Sequence, residues 1–197
     1  QNCTAESPCS AASFTQATTD SIDSLDPGAR LFFASGDYVI NPGSANFITL
    51  NNGQSMHGRT ADFKFIAENS ERPLFHGELE LKGNNFLRNF NLTGNGTTRT
   101  RGISSNGGDG LILANLAVSD YTATLGSVPV GIEFNNVSNT HLVDVQVSNI
   151  VGANGTNGSS GTAGTSGGNG TDGDSAKGIH IDESQDVALH RVEIFNV

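Results

Sequence analysis

The chain has 197 residues, a net charge of −10, 25 glycines, two cysteines and only 35% hydrophobic residues. So small an apolar share excludes a thick globular core and favours a narrow one surrounded by turns. The acidic balance disfavours nucleic acid and anionic membrane surfaces as partners, and no run approaches the roughly 18 apolar residues that a membrane-spanning helix needs.

The first segment, QNCTAESPCS, holds the only cysteines, Cys3 and Cys9. Their spacing suits a small surface disulfide, which implies an oxidising compartment. Two unpaired thiols or half of a metal site are the alternatives, but there is no third cysteine and no histidine nearby. The start at Gln1, without an apolar signal segment, fits a mature secreted chain; a trimmed one would look the same. Residues 10–25, SAASFTQATTDSIDSL, predict a short helix with Phe14, Ile22 and Leu25 on its covering face. PGARLFFASGDYVI then reads as one strand with a turn at Gly36, and FITLNNGQSMHGRT as the following unit.

From there the chain repeats. RGISSNGGDGLILANLAVSD aligns with VGIEFNNVSNTHLVDVQVSN and with KGIHIDESQDVALHRVEIFN. Gly102, Gly131 and Gly178 coincide, each followed by isoleucine. Leu113, Leu142 and Leu189 form one column, Leu116, Val145 and Val192 the next, and Val118, Val147 and Ile194 a third. Asp120, Asn149 or Asn196 closes each unit, and NNFLRNFNLTGN supplies an earlier half-copy through Leu87, Phe90, Leu92 and Gly94. The L-x-x-V-x-V pattern contains strand periodicity. The intervening SSNGGDG and EFNNVSN are too polar and glycine-rich for the helices of a leucine-rich repeat. Stacked coils of short parallel strands are therefore expected, with the three aliphatic columns as interior ladders.

The segment from Phe14 to Gly58, followed by the Gly-Ile units, resembles the right-handed parallel β-helix proteins, the pectate-lyase-like superfamily, over about residues 12–197. It is most similar to secreted or surface bacterial β-helix proteins with glycine-rich inserts. The resemblance implies an all-β right-handed solenoid, with a cap over residues 1–29 and the β-helix over 30–197. It does not select a function, because one fold hosts many activities.

One stretch breaks the period. In GANGTNGSSGTAGTSGGNGTDG, glycine occupies positions 152, 155, 158, 161, 164, 167, 170 and 173. The last two units are offset by 47 residues, and removing these 22 restores a spacing close to that of the other coils. Residues 152–173 are thus expected to be an insertion. The absence of proline argues against collagen, and the strict period argues against a plain flexible linker. Polyproline-II-like arms that double back, with all glycines on one edge against another backbone, fit best. An assembly role is expected for Gly152, Gly155, Gly158, Gly161, Gly164, Gly167, Gly170 and Gly173.

Chemical sites are weak. The alignment puts Ser104, Glu133 and His180 in one row and Asn106, Asn135 and Asp182 in another. If these rows face outward, Glu133, His180 and Asp182 are the catalytic candidates, since a Glu–His pair can exchange protons; an ordinary cross-strand contact is the plainer reading. GGNGTD places Asp172 in a partial match to a calcium-binding nonapeptide, with too few oxygen ligands for a site. The five histidines read as surface or turn residues, and Arg99 and Arg101 as a solvated loop or a contact for an anionic sugar. The polygalacturonase motifs are absent. A secreted or cell-surface structural or adhesive module is expected, without cofactor, partnered by copies of itself or by further coils. A polysaccharide-active or polysaccharide-binding protein is the alternative.

Overall fold

The computed structural model describes residues 16–40, 47–62, 64–66, 69–95, 97 and 99–197. Cys3, Cys9 and Phe14 lie outside them. One helix, α1 (Gln16–Asp23), precedes thirteen strands: β1 (Arg30–Phe33), β2 (Asp37–Val39), β3 (Phe47–Leu50), β4 (Ser55–Gly58), β5 (Leu74–His76), β6 (Glu78–Leu81), β7 (Phe86–Thr93), β8 (Arg101–Asn106), β9 (Ile112–Thr122), β10 (Val130–Asn135), β11 (Thr140–Val151), β12 (Lys177–Asp182) and β13 (Val187–Phe195). Every strand pairing is parallel. One sheet runs β1–β4–β7–β9–β11–β13, with β5 joining β2 and β7; the other runs β12–β10–β8–β6–β3. From β5 onward successive strands alternate between the sheets, an arrangement compatible with a β-helix.

The register is the one the repeat implies. Leu31, Met56, Leu87, Leu113, Leu142 and Leu189 form one continuous row across the larger sheet. Phe90, Leu116, Val145 and Val192 form a second. In the smaller sheet Ile48, Leu79, Ile103, Ile132 and Ile179 align. These rows are buried through the middle of the stack. At the last rung the expected interior ladder opens: Leu189 keeps its register but is 50% exposed, because β13 is the terminal strand of its sheet here.

Two inward residues three positions apart cannot both point inward along a regular strand. The resolution lies in the backbone. Asn89, Asn115, Asp144 and Arg191, each just before the second inward residue, all have φ between 51° and 61°. A left-handed residue bends the strand and resets the alternation, so Leu113 and Leu116 reach the same core. Asp120, Asn149 and Asn196 do the same one corner later. Asparagine and aspartate tolerate this conformation because their short polar side chains can bond locally. The bends are also tied to each other: Asn149 Nδ2 donates to Asp120 Oδ1 at 3.0 Å, and Asn115 Nδ2 to Asn89 Oδ1 at 2.8 Å.

At the other end, α1 covers the edge strand β3. Ile22 is buried, and the Asp23 carboxylate accepts the Thr49 N–H at 3.0 Å. Leu25 is instead 37% exposed, so it does not serve as a covering residue. The stretch from Arg30 to Val39 is two strands rather than one, separated by a turn at Gly36, and they pair with different partners, β4 and β5. Tyr38, Phe33 and Phe75 form a buried aromatic group here, with ring centroids 4.9 to 5.4 Å apart.

Residues 152–176 join no strand of either sheet. They run out and back as two adjacent arms. A Cβ on Gly155 would stand 2.0 Å from the Thr171 carbonyl oxygen, one on Gly161 2.5 Å from that of Thr165, and one on Gly170 2.3 Å from that of Thr156. Gly164 sits at the tip with φ +87° and open space around it. Cross-arm backbone bonds are sparse, Thr171 N–H to Thr156 O at 3.0 Å and Asp174 N–H to Ala153 O at 2.8 Å, and side chains add others: Thr156 N–H donates to Thr171 Oγ1 at 3.0 Å, the two threonine hydroxyls meet at 2.8 Å, and Gly168 N–H donates to Ser159 Oγ at 2.9 Å. Residues 154–173 are exposed.

Candidate functional site

The outer face of the smaller sheet carries the residues singled out as catalytic candidates. Strand alternation sends Ile103, Ile132 and Phe134 inward and leaves Ser104, Glu133 and Asn135 outside. Rung pairing then places Glu80, Ser104, Glu133 and His180 in one outer row, and Asn106, Asn135 and Asp182 in the next. Beside these rows lies a depression of about 260 Å³, lined by Glu80, Arg101, Ser104, Asn106, Glu133 and Asn135.

Glu133 is brought next to His180, but its carboxylate is held by Arg101, whose Nε stands 2.7 Å from Oε2. His180 Nδ1 is 3.6 Å from Glu133 Oε1, beyond hydrogen-bond distance. Asp182 is not drawn into the pair. Its Oδ1 accepts the Glu183 N–H at 3.1 Å and so shapes the turn after β12. Arg99 and Arg101 are neither loosely solvated nor free for an anion: Arg99 Nε pairs with Glu78 Oε2 at 2.7 Å, while Arg101 opens β8. Glu78 is buried and accepts the Ser104 hydroxyl at 3.0 Å. Burial raises its carboxyl above the ordinary range, against the lowering pull of Arg99 and Ser104. The face is thus a set of mutually paired charges.

Asp172 lies exposed on the returning arm of the hairpin. Among the described residues no group of three or more His, Cys, Asp and Glu side chains is placed to hold a metal ion. The neighbouring acid has a structural contact: Asp174 Oδ2 accepts the Gly126 N–H at 2.6 Å, tying the hairpin foot to the β9–β10 connection.

One cluster was not anticipated. His57, expected at the surface or in a turn, is 1% exposed. It stacks on Phe32 at 5.0 Å and meets Phe86 edge-on at 5.5 Å. Arg88 Nε donates to His57 Nδ1 at 2.9 Å, and Ser55 Oγ lies 3.0 Å from Nε2. Burial, then Arg88, Arg30 and Arg59, lower its imidazole to about 4. The available signal was the repeat itself: Phe32, His57 and Arg88 occupy one rung position in three consecutive strands of the larger sheet.

Comparison with protein-family models, with curated proteins and with solved structures returned no match.

Proposed function

We propose that the chain is a right-handed parallel β-helix module with a polyproline-II-like insertion at residues 152–173, serving a structural or adhesive role outside the cell, on a bacterial surface or in a filamentous protein. The observation that carries this reading is the regular parallel stack, whose outer charges are paired with one another rather than gathered at one point. The paired charges of the outer face suit a surface that holds its shape. The spacing of Cys3 and Cys9 supports an oxidising, extracellular setting.

The second reading, a polysaccharide-active protein, draws on the Glu133–His180 adjacency beside a depression. Two measurements separate them. Sedimentation of the chain should show concentration-dependent association with copies of itself, the assembly such a role requires. A panel of acidic and neutral polysaccharides should be neither cleaved nor shortened. A monomer at all concentrations would overturn the assembly reading, and cleavage lost in Glu133→Gln would establish the enzymatic one.

A further inference from the structure

The chain has ten lysines and arginines against twenty acids, yet three of its arginines converge on one patch of the larger sheet. Arg30 and Arg59 both stand over Phe32, with guanidinium carbons 6.0 and 5.3 Å from the ring centroid. His57 stacks against the same ring and accepts from Arg88. Arg88 also lies 5.4 Å from the Phe86 centroid, and Arg59 lies 4.3 Å from that of Phe65. Phe65 is 74% exposed.

The three cations repel one another, although the rings beneath attract each guanidinium singly. Burial lowers the Arg59 guanidinium below its ordinary value, and Arg88 and Arg30 add to that lowering. The residue between them cannot relieve it, because His57 is held neutral and presents its Nδ1 lone pair to Arg88. Neither Arg30 nor Arg88 is paired with a carboxylate among the described residues. An oxyanion is the group that accepts short charge-assisted hydrogen bonds from several guanidiniums at once.

We propose that Arg30, Arg59 and Arg88, with Phe65 as a flanking platform, bind the phosphate or sulfate group of a compact ring-bearing ligand. Its anionic group sits among the guanidiniums, and its ring lies against the exposed face of Phe65. Compactness follows from charge. At long range the net charge of −10 repels an extended polyanion, whereas a single oxyanion feels chiefly the three nearby cations. The ring follows from an exposed phenyl group beside the basic patch. This site lies on the larger sheet, away from the Glu133 row on the smaller one, and does not depend on the assembly reading.

The experiment is calorimetric titration of the full chain with inorganic phosphate, inorganic sulfate, phenyl phosphate and phenyl sulfate, with dextran sulfate as the extended comparison. Saturable binding is expected for the phenyl esters, tighter than for the matching inorganic ion. Arg30→Gln, an exposed substitution, should weaken it about tenfold, as loss of one charge-assisted contact implies. Arg88→Lys keeps the charge without the planar fork and should weaken it less than Arg30→Gln. Arg101→Gln, on the other sheet, should leave it unchanged. The phosphate and sulfate arms identify which ester the site prefers. Absence of binding by all four small anions, or binding indifferent to Arg30→Gln in a protein whose circular dichroism is unchanged, overturns the site. Equal affinity for phenyl ester and inorganic ion overturns the ring contact, and tighter binding of dextran sulfate overturns the compact ligand.

Discussion

A side chain on Gly158 would stand 2.3 Å from the carbonyl oxygen of Gly168, across the two arms of the hairpin. That distance is far inside van der Waals contact, and the obstacle is backbone, which cannot swing aside. The same relationship recurs at Gly152, Gly155, Gly161, Gly167, Gly170 and Gly173, each facing a carbonyl of the other arm at 2.0 to 2.9 Å. The period of three is therefore a packing requirement: every third residue except Gly164 at the tip meets the neighbouring backbone, and the residues between face solvent.

A pair of alanine substitutions tests this. Gly158→Ala must push the arms apart and should make the hairpin markedly more susceptible to protease. Gly168→Ala, off the period and opposed only by the Ser159 hydroxyl at 2.9 Å, should be nearly silent. Limited proteolysis of the two variants checks the contrast, and equal susceptibility would mean that the glycines merely supply flexibility. The sheets should stay folded in both.

Val145 is fully buried in the second inward row, between Leu116 and Val192. Val145→Asp places a carboxylate there without a partner and should destabilise the fold by about 3–5 kcal/mol. Urea denaturation would show this as a lower midpoint. An unchanged midpoint would place Val145 on the wrong face.

Asn149 has φ 54° and is bonded to Asp120 and Asn196. Asn149→Gly keeps the backbone conformation and loses only those exposed bonds. Asn149→Val must force a β-branched residue into the left-handed region, at a cost of about 1–3 kcal/mol. The valine variant should therefore be clearly less stable than the glycine one in parallel thermal melts. The reverse order would contradict the role assigned to the corner.

The buried His57 makes stability depend on pH. Its folded value, about 4, lies below the ordinary 6.5, so the unfolded chain takes up this proton first. The contribution is fully present above the unfolded value and is lost as pH falls towards the folded one, reaching about 3 kcal/mol at the limit. Glu78 and Asp23, raised by burial, act with opposite sign over the carboxylate range. The histidine effect is therefore read most cleanly between about pH 7 and pH 5, where the melting temperature should fall with pH. In the folded protein, the His57 ring resonances should remain unshifted across that window. A midpoint near the ordinary histidine value would contradict the buried environment.

Little of the outer-face chemistry was legible in the chain, and much of the register was. Gly102, Gly131 and Gly178, with the columns headed by Leu113 and Leu116, set the rung pairing, because each coil must present the same inward residues at nearly the same spacing to be buried by the next. The glycine period likewise announced a close backbone approach. What faces what was a tertiary matter. Whether Gly158 met a sheet, another subunit or its own returning arm depended on where the chain turned, at Gly164. The exposure of Leu189 depended on what stands above it, not on its own type. The corners at Asn115 and Asp144 were hidden because an asparagine or aspartate in a strand-like run does not by itself declare a left-handed backbone. Arg30, Arg59 and Arg88 are dispersed along the chain, each unremarkable locally. Only the parallel rungs, which set Phe32, His57 and Arg88 side by side, bring the three positive charges to one place.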